Sequence, residues 1–284
     1  MHPERLVGIR MSGGLGNQLY SYAVGLALAT RLNGTLRFDT RDLWRRDSRP
    51  FRLGAFGIEI KTWTPTWWKF EKLARQISLG SWRPGPERLV EVRDFEPRFF
   101  EMRPPCFLKG WFQSWRYFEG YEDLVRDAFD TSKLSTPRIA EFEREIATND
   151  NAVIVHVRRG DYENHPGIFP LIGRDYYATA RAAIESSGHK PTYYLFSDDM
   201  GKATELLSGW DGVVPVAGFD DLEDFRLMSL GRHFIIPNST FSWWAAWLGK
   251  MPDKIVVAPT QWFVDTYKWE TDIDARLPPR WIKV

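Results

Sequence analysis

The sequence has 284 residues and is nearly neutral, with 38 Lys and Arg against 37 Asp and Glu. A nucleic-acid-binding protein normally carries a strong basic excess, so the sequence gives no support for this class, and any anion site must be local. The single cysteine, Cys106, rules out an intrachain disulfide and a thiolate zinc cluster. This length is sufficient for two domains of ordinary size.

No stretch of about 18 residues is apolar and uncharged, so no transmembrane helix is expected. Residues 1–5 (MHPER) lack the apolar core of a signal peptide. We therefore expect a cytoplasmic protein, with peripheral contact at the inner face of the membrane left open.

The first predicted elements alternate between strand and helix, as at the start of a doubly wound α/β domain. They are a strand at 5–11, a tight loop at 11–16, a helix at 17–31, a second strand at 35–39 and a later strand at 106–109. Residues 41–105 are dense in Trp, Arg and Pro and are predicted to form loops and irregular helices.

A polar helix around residues 132–151 is interpreted as the connection between domains 1–148 and 149–284. After it, strands at 152–157, 192–196, 213–217, 233–236 and 254–258 alternate with helices at 174–187, 200–207, 221–230 and 240–248. Continuous apolar strands between helices imply a parallel sheet that is buried on both faces. We predict an α/β protein with two Rossmann-like domains facing each other across a cleft, and a C-terminal tail that could pack back on the first.

The segment 156–162 (HVRRGDY) follows a predicted strand, at the end where parallel sheets bind ligands. Two adjacent arginines, Arg158 and Arg159, are costly there unless they meet an anion, and guanidinium groups offer forked donors to phosphate oxygens. Gly160 lets the chain turn sharply, and Asp161 could hold one arginine or touch a substrate. An arginine–aspartate pair on a loop is the alternative. We favour the anion site because of its strand-end position.

Two further segments also follow strand ends. In 195–199 (LFSDD), the paired aspartates could bind a ribose or a metal, or could cap the helix predicted from residue 200. In 237–248 (PNSTFSWWAAWL), a helix begins at Asn-Ser-Thr, and the free amides there could cradle a phosphate. Ser239 acting as an N-cap is the alternative. The three tryptophans of this helix are spaced to bury one face, so we interpret them as core.

Other motifs are weaker. The loop 13–19 (GGLGNQL) begins like a dinucleotide fingerprint, with Asp39 at about the expected later position, but Leu19 occupies the place of the third glycine. No Gly-x-x-x-x-Gly-Lys-Ser/Thr loop exists, which argues against an NTPase. Asp272 and Asp274 have the spacing of a sugar-nucleotide metal site but lie in a polar tail that we expect to be solvated. The histidines show no ligand spacing, so no metal site is predicted.

Together these segments resemble one family, the α-1,2-fucosyltransferases, particularly the short bacterial members. The matching blocks are 13–19, 110–114 (GWFQS), 156–162 and 224–248, with 197–199 as a shorter fifth. The resemblance implies a GT-B-like fold and inverting, metal-independent transfer of L-fucose from GDP-β-L-fucose to the 2-hydroxyl of a terminal galactoside. The implied partners are GDP-fucose, which is a co-substrate rather than a cofactor, and a galactose-containing glycan acceptor.

The resemblance also implies roles for single residues. Arg158 would contact the donor diphosphate, and Asp224 would accept hydrogen bonds from both N–H edges of guanine. The predicted catalytic set is Arg158 with three general-base candidates: Asp161, Glu163 and His165. The predicted donor-binding set is Gly16, Asn17, His156, Arg158, Asp198, Asp224, Asn238, Ser239 and Thr240.

Three rival functions remain open at this point. A fucosyltransferase of another linkage, such as α-1,6, would share the arginine pair, whereas the Trp-rich Asn-Ser-Thr block favours α-1,2. An NAD(P)-binding oxidoreductase is suggested by the glycine loop and Asp39 but leaves the arginine pair unexplained. A non-catalytic glycan-binding protein is suggested by the 14 tryptophans, since indole faces pack well against sugars.

Overall fold

The computed structural model describes residues 5–44, 49–63, 87–90, 95–186, 188, 190–267 and 272–284. The chain forms two compact units, Met1–Val125 and Arg126–Val284. The predicted division follows residue 148, whereas residues 126–148 belong to the second unit. Much of the segment 41–105, predicted as loops and irregular helices, lies outside the described residues.

The first unit is built on a four-stranded parallel sheet in the order β2-β1-β4-β3. Its strands are β1 (Leu6–Arg10), β2 (Thr35–Asp39), β3 (Glu87–Val90) and β4 (Cys106–Lys109). Helix α1 (Leu15–Arg31) connects β1 to β2, and α2 (Glu122–Ala128) runs across the division between the units. The predicted strands 5–11, 35–39 and 106–109 are confirmed, and the predicted first helix begins two residues earlier than expected.

The second unit is built on a six-stranded parallel sheet in the order β10-β9-β8-β5-β6-β7. All six residues of the central strand β5 are buried, as expected for a sheet covered on both faces. Its strands are β5 (Ala152–Val157), β6 (Thr192–Ser197), β7 (Val213–Pro215), β8 (His233–Ile235), β9 (Val256–Ala258) and β10 (Ile282–Lys283). Its helices are α3 (Ala140–Thr148), α4 (Gly160–Glu163), α5 (Arg174–Glu185), α6 (Met200–Leu206), α7 (Asp221–Met228), α8 (Thr240–Leu248) and α9 (Ile273–Arg276).

Two sequence predictions need correction here. The predicted helix at 132–151 is divided into a 3₁₀ turn, Thr131–Leu134, and helix α3, because Pro137 lies between them. The tail is not simply solvated: Asp272 caps α9, Arg276 is 1% exposed, and β10 pairs with β9 in the second sheet. Among the described residues, no helix is long and apolar enough to cross a membrane.

Both sheets reverse their strand order beside the first strand of the unit. From β1 the chain proceeds to β2 on one side and later returns to β4 on the other. From β5 it proceeds to β6 and β7, then returns to β8 on the opposite side. Open parallel sheets bind ligands at such reversals, beyond the carboxyl ends of the strands. The topology therefore brings block 13–19 to block 110–114, and block 156–162 to the start of α8.

Candidate functional site

Two predicted segments meet at the reversal between β5 and β8. The Tyr162 hydroxyl donates to the Asn238 backbone carbonyl at 2.8 Å, and the His156 and Phe241 rings lie 6.0 Å apart between centroids. The Asn238 amide donates in turn to the carbonyls of Pro170 (3.2 Å) and Trp262 (3.1 Å). Asn238, predicted to bind the donor, therefore holds three loops together. Tyr162 ends the HVRRGDY block but has no role in the predicted sets.

Arg158 lies at the centre of this site. Its Nε and Nη2 donate to Asp161 Oδ1 at 3.0 and 2.7 Å, and its Nη1 lies 3.1 Å from Asp198 Oδ2. The side chain keeps 24% of its surface exposed. A guanidinium carries five N–H groups, so those not directed at Asp161 or Asp198 leave donor capacity for a ligand. The arginine–aspartate pair that the sequence offered as an alternative is present, and it fixes the orientation of the guanidinium.

Asp198 ties the arginine loop to the neighbouring strand β6. Its Oδ1 accepts the backbone N–H of Arg159 at 2.8 Å, while the Arg159 guanidinium donates to the Ile172 carbonyl at 3.0 Å. Arg159 is only 9% exposed, so it anchors the loop from within. A Cβ at Gly160 would lie 2.3 Å from Asp198 Oδ2, so only glycine allows this close approach.

Of the two readings of the segment 197–199, capping is confirmed for Asp199, and ribose binding by the pair stays a prediction. Asp199 caps α6, because its Oδ1 accepts the Lys202 backbone N–H at 3.1 Å, whereas Asp198 faces the arginine loop. Within the part of the chain that the structure describes, no three His, Cys, Asp or Glu side chains are grouped as a metal would require.

Helix α8 begins in the same crevice without a side-chain cap. Ser239 occupies the N-cap position, is 5% exposed and makes no capping hydrogen bond, so the helix geometry leaves the first backbone N–H groups, beginning at Thr240, without intrahelical partners.

His156 Nδ1 is buried nearby and has no hydrogen-bond partner among the described residues. Burial, and then the charge of Arg158, lower the His156 pKa to about 3, so the ring is neutral at physiological pH.

The three general-base candidates have different surroundings. Asp161 accepts both hydrogen bonds from Arg158, and Glu163 pairs with Lys202 at 2.6 Å on the surface. His165 is exposed beyond α4. Of these three, only Asp161 touches Arg158.

Asp224 lies in α7, whose preceding residue Asp220 forms a capping box with Glu223. The Asp224 Oδ1 atom is buried without a hydrogen-bond partner among the described residues. Burial, followed by the negative charges of Asp220, Asp221 and Glu223, raises the Asp224 pKa to about 7. A carboxyl group poised in this way can serve as an acceptor toward a ligand.

This raised pKa predicts a pH-dependent stability difference. The folded-state value of about 7 exceeds the unfolded value of about 4, so the carboxyl reduces stability progressively as pH rises between them and most strongly above 7. Asp224→Asn removes this titration. We expect the variant to gain stability relative to wild type between pH 5 and pH 8, measured by urea unfolding. If the stability difference between Asp224→Asn and wild type were the same at pH 5 and at pH 8, the raised pKa of Asp224 would be contradicted.

The reversal between β1 and β4 gathers the two N-terminal blocks. Gly13 adopts φ +77°, and the buried Gln18 donates its amide to the carbonyls of Gly13 (2.9 Å) and Pro50 (2.8 Å). Asn17 Oδ1 accepts a hydrogen bond from Gln113 Nε2 at 2.7 Å. Gly16 is buried and Asn17 half-buried at the start of α1. Gln18 has no role in the predicted sets, and its place in the block 13–19 is the sequence signal that points to it.

Asp39 argues against the dinucleotide alternative. Its carboxylate is fully buried and accepts hydrogen bonds from Arg10 (2.9 and 3.1 Å) and Arg41 (2.7 and 2.8 Å). Those hydrogen bonds, together with the Arg10 charge, outweigh burial and hold the Asp39 pKa below its usual value. A carboxylate whose oxygens are enclosed in this way is not available to bind a ribose hydroxyl.

The tryptophans of α8 are core residues, as predicted. Trp243 and Trp244 are 0% exposed, and Trp247 is 7% exposed. The rings pack on one another with centroid separations between 5.1 and 6.2 Å. These three indoles therefore form no glycan-binding surface and support the helix that carries the uncapped N-terminus.

Comparison with known proteins identifies similar sequences over the whole chain. Residues 3–284 match the family described as Glycosyl transferase family 11. The chain is 26% identical over 296 residues to an alpha-1,2-colitosyltransferase of Escherichia coli, covering 98% of this chain and 99% of that protein. It is 28% identical over 306 residues to human Galactoside alpha-(1,2)-fucosyltransferase 1, covering 100% and 77%. Among solved structures, NodZ alpha-1,6-fucosyltransferase co-crystallized with GDP gives a TM-score of 0.49 at 18% identity, covering 89% and 95%.

Proposed function

The chain belongs to glycosyl transferase family 11, and from that premise we propose that it transfers L-fucose from GDP-β-L-fucose to the 2-hydroxyl of a terminal galactoside. The proposal includes inversion at the anomeric carbon, independence of a bound metal, and a GT-B-like cleft between the two units. It is supported by the α-1,2 linkage in the names of both relatives and by the galactoside in the name of the human one.

One observation carries the proposal: Arg158 and the uncapped start of α8 occupy the same reversal of the second sheet. A diphosphate needs several hydrogen-bond donors and positive charge at close range. Arg158 supplies a guanidinium whose direction is fixed by two carboxylates, and α8 supplies backbone N–H groups at the positive end of its dipole. The neutral His156 presents a further nitrogen nearby without adding charge.

The reaction then follows from where charge develops. The acceptor oxygen forms a bond to the fucose anomeric carbon while the bond from that carbon to the phosphate oxygen breaks, and the electron pair leaves with GDP. Donors already directed at the diphosphate stabilise that charge without reorganising. The proton of the acceptor hydroxyl passes to a base or to solvent. Asp161 is our preferred base among the three candidates, because it alone adjoins Arg158.

The test is transfer from GDP-fucose to a panel of galactosides, with the product linkage assigned by NMR. We expect an α-1,2 product and expect EDTA to leave the rate within about twofold, since protein N–H groups replace the metal in binding the diphosphate. GDP-colitose is included as a competing donor because one relative is named a colitosyltransferase. A product of another linkage would contradict the proposed acceptor position, and loss of activity in EDTA that Mg²⁺ restores would contradict metal independence.

A further inference from the structure

Trp111 presents a large aromatic surface beyond the carboxyl end of β4. It is 40% exposed, unlike the buried tryptophans of α8. An ideal Cβ at Gly13 would lie 3.1 Å from Trp111 Cζ3, so the edge of the indole packs directly against the glycine loop that follows β1. The indole therefore lies at the strand-order reversal of the first sheet, where such sheets bind ligands.

The backbone next to Trp111 is strained. Phe112 adopts φ +49°, a left-handed conformation that is uncommon for a bulky side chain. Its ring is fully buried and lies 5.4 Å from the Tyr117 ring, and its carbonyl accepts the Ser114 N–H at 2.9 Å. Burial of this ring stabilises a turn that the residue would otherwise avoid. The residues on either side, Trp111 and Gln113, are thereby kept out of the core.

The polar neighbours suit a neutral ligand. Gln113 and Asn17 join their side-chain amides at 2.7 Å, and both remain partly accessible. Amides both donate and accept, as sugar hydroxyls do. A sugar has, besides its hydroxyls, a face of C–H bonds that packs on an indole. In galactose the 4-hydroxyl is axial, so C3–H, C4–H and C5–H lie together on the opposite face of the ring.

We propose that the Trp111 indole is the platform on which the acceptor galactoside stacks, with the Asn17–Gln113 pair beside it for the hydroxyls. This gives Asn17, predicted from the sequence to bind the donor, a role toward the acceptor instead. This inference rests on the proposed function, which assigns the donor diphosphate to the second unit and leaves the neutral-sugar surface of the first unit to the acceptor. Trp111 is then a specificity-determining residue.

The test compares Trp111→Ala and Trp111→Phe with wild type in steady-state kinetics. For Trp111→Ala we expect the acceptor KM to rise at least about tenfold and the preference for a galactoside over its 4-epimer, a glucoside, to fall by a similar factor. The KM for GDP-fucose and the rate of GDP-fucose hydrolysis without acceptor should stay within about twofold. Trp111→Phe, which keeps an aromatic face, should recover most of the acceptor affinity.

Phe100→Ala is the matched control, because Phe100 is another aromatic residue of the first unit and is 51% exposed. Its kinetics should match wild type. An unchanged acceptor KM in Trp111→Ala would overturn the proposal, and so would an equal rise in the donor KM.

Saturation-transfer NMR of a methyl galactoside separates this inference from the proposed function. Loss of the galactoside signal in Trp111→Ala but not in Phe100→Ala supports the platform, and a retained signal refutes it. Absence of transfer from GDP-fucose by wild-type protein would instead count against the proposed function.

Discussion

Arg158→Ala is expected to lower kcat/KM for fucose transfer by at least about a hundredfold, the effect of removing one preorganised donor from developing negative charge. The fold should persist, because the ion pairs of Arg158 are partly exposed and such pairs contribute about 1 kcal/mol or less. We expect Tm to fall by no more than about 5 °C. Steady-state kinetics and thermal unfolding of the same preparation measure both quantities.

Other arginines provide the controls. Arg181→Ala removes a helix-surface ion pair of similar exposure, to Glu185, and should leave activity unchanged. Arg159→Ala should instead reduce stability by about 1 to 3 kcal/mol, because it removes a buried donor from the Ile172 carbonyl. Near-normal transfer by Arg158→Ala would refute the donor-site assignment.

A double variant tests the cause of the loss. Removing Arg158 also leaves the Asp198 carboxylate, which lies beside the proposed diphosphate site, without its cation. If repulsion by that carboxylate caused the loss, Arg158→Ala/Asp198→Asn would regain most of the activity. We expect it to remain at least about fiftyfold below wild type, because the missing N–H donors are not restored.

Lys254→Met is expected to lower the free energy of unfolding by about 3 kcal/mol or more. The Lys254 Nζ donates to three backbone carbonyls at the end of α8: Ala246 at 2.7 Å, Trp247 at 3.1 Å and Gly249 at 2.6 Å. In the ammonium form these three bonds use every N–H of the group. Burial, followed by the charge of Arg126, lowers the Lys254 pKa to about 7, so the comparison is made at pH 6, where the folded protein carries mainly the ammonium form. Methionine has similar length and supplies none, so the carbonyls would lose their donors at about 1 kcal/mol or more each. Urea unfolding measures the change.

Lys250→Met is the control, since Lys250 is an exposed lysine just beyond the same helix. Its stability should stay within about 0.5 kcal/mol of wild type. A loss below about 1 kcal/mol for Lys254→Met would contradict the assigned role. A change at the C-terminal end of α8 also concerns the candidate site, because the N-terminal end of the same helix, at the Ser239 N-cap, lies there.

The features that the sequence predicted best are those that depend on residues close together in the chain. The apolar run of β5, the short helix that begins at Gly160 and the burial of the α8 tryptophans are all encoded within short segments. The burial of α8 goes beyond the prediction of one buried face, because residues 242–248 are buried on every side of the helix. The positions of the blocks at strand ends followed from the same local patterns. Ser239 fits this picture in part: it occupies the predicted N-cap position, but it makes no capping hydrogen bond.

What the sequence did not predict depends on which strands become neighbours. Asp198 meets the arginine loop because β6 lies beside β5, and Asp39 meets Arg10 because β2 lies beside β1. Periodicity and capping patterns contain no information about such pairings. The burial of Arg276 is similar: a charged residue in a polar segment reads as solvated, yet its guanidinium lies 4.8 Å from the centroid of the Trp262 ring.

The reversal of strand order in both sheets has a consequence during synthesis. Tyr162 and Asn238 are 76 residues apart, and Asn17 and Gln113 are 96 apart. At about 5 to 20 residues per second, a ribosome needs several seconds to supply the second half of each crevice after the first. During that interval β1 and β5 each have one side without its final neighbour. A nascent chain halted before residue 233 would therefore retain the arginine loop but lack both the strand and the helix that complete its surroundings.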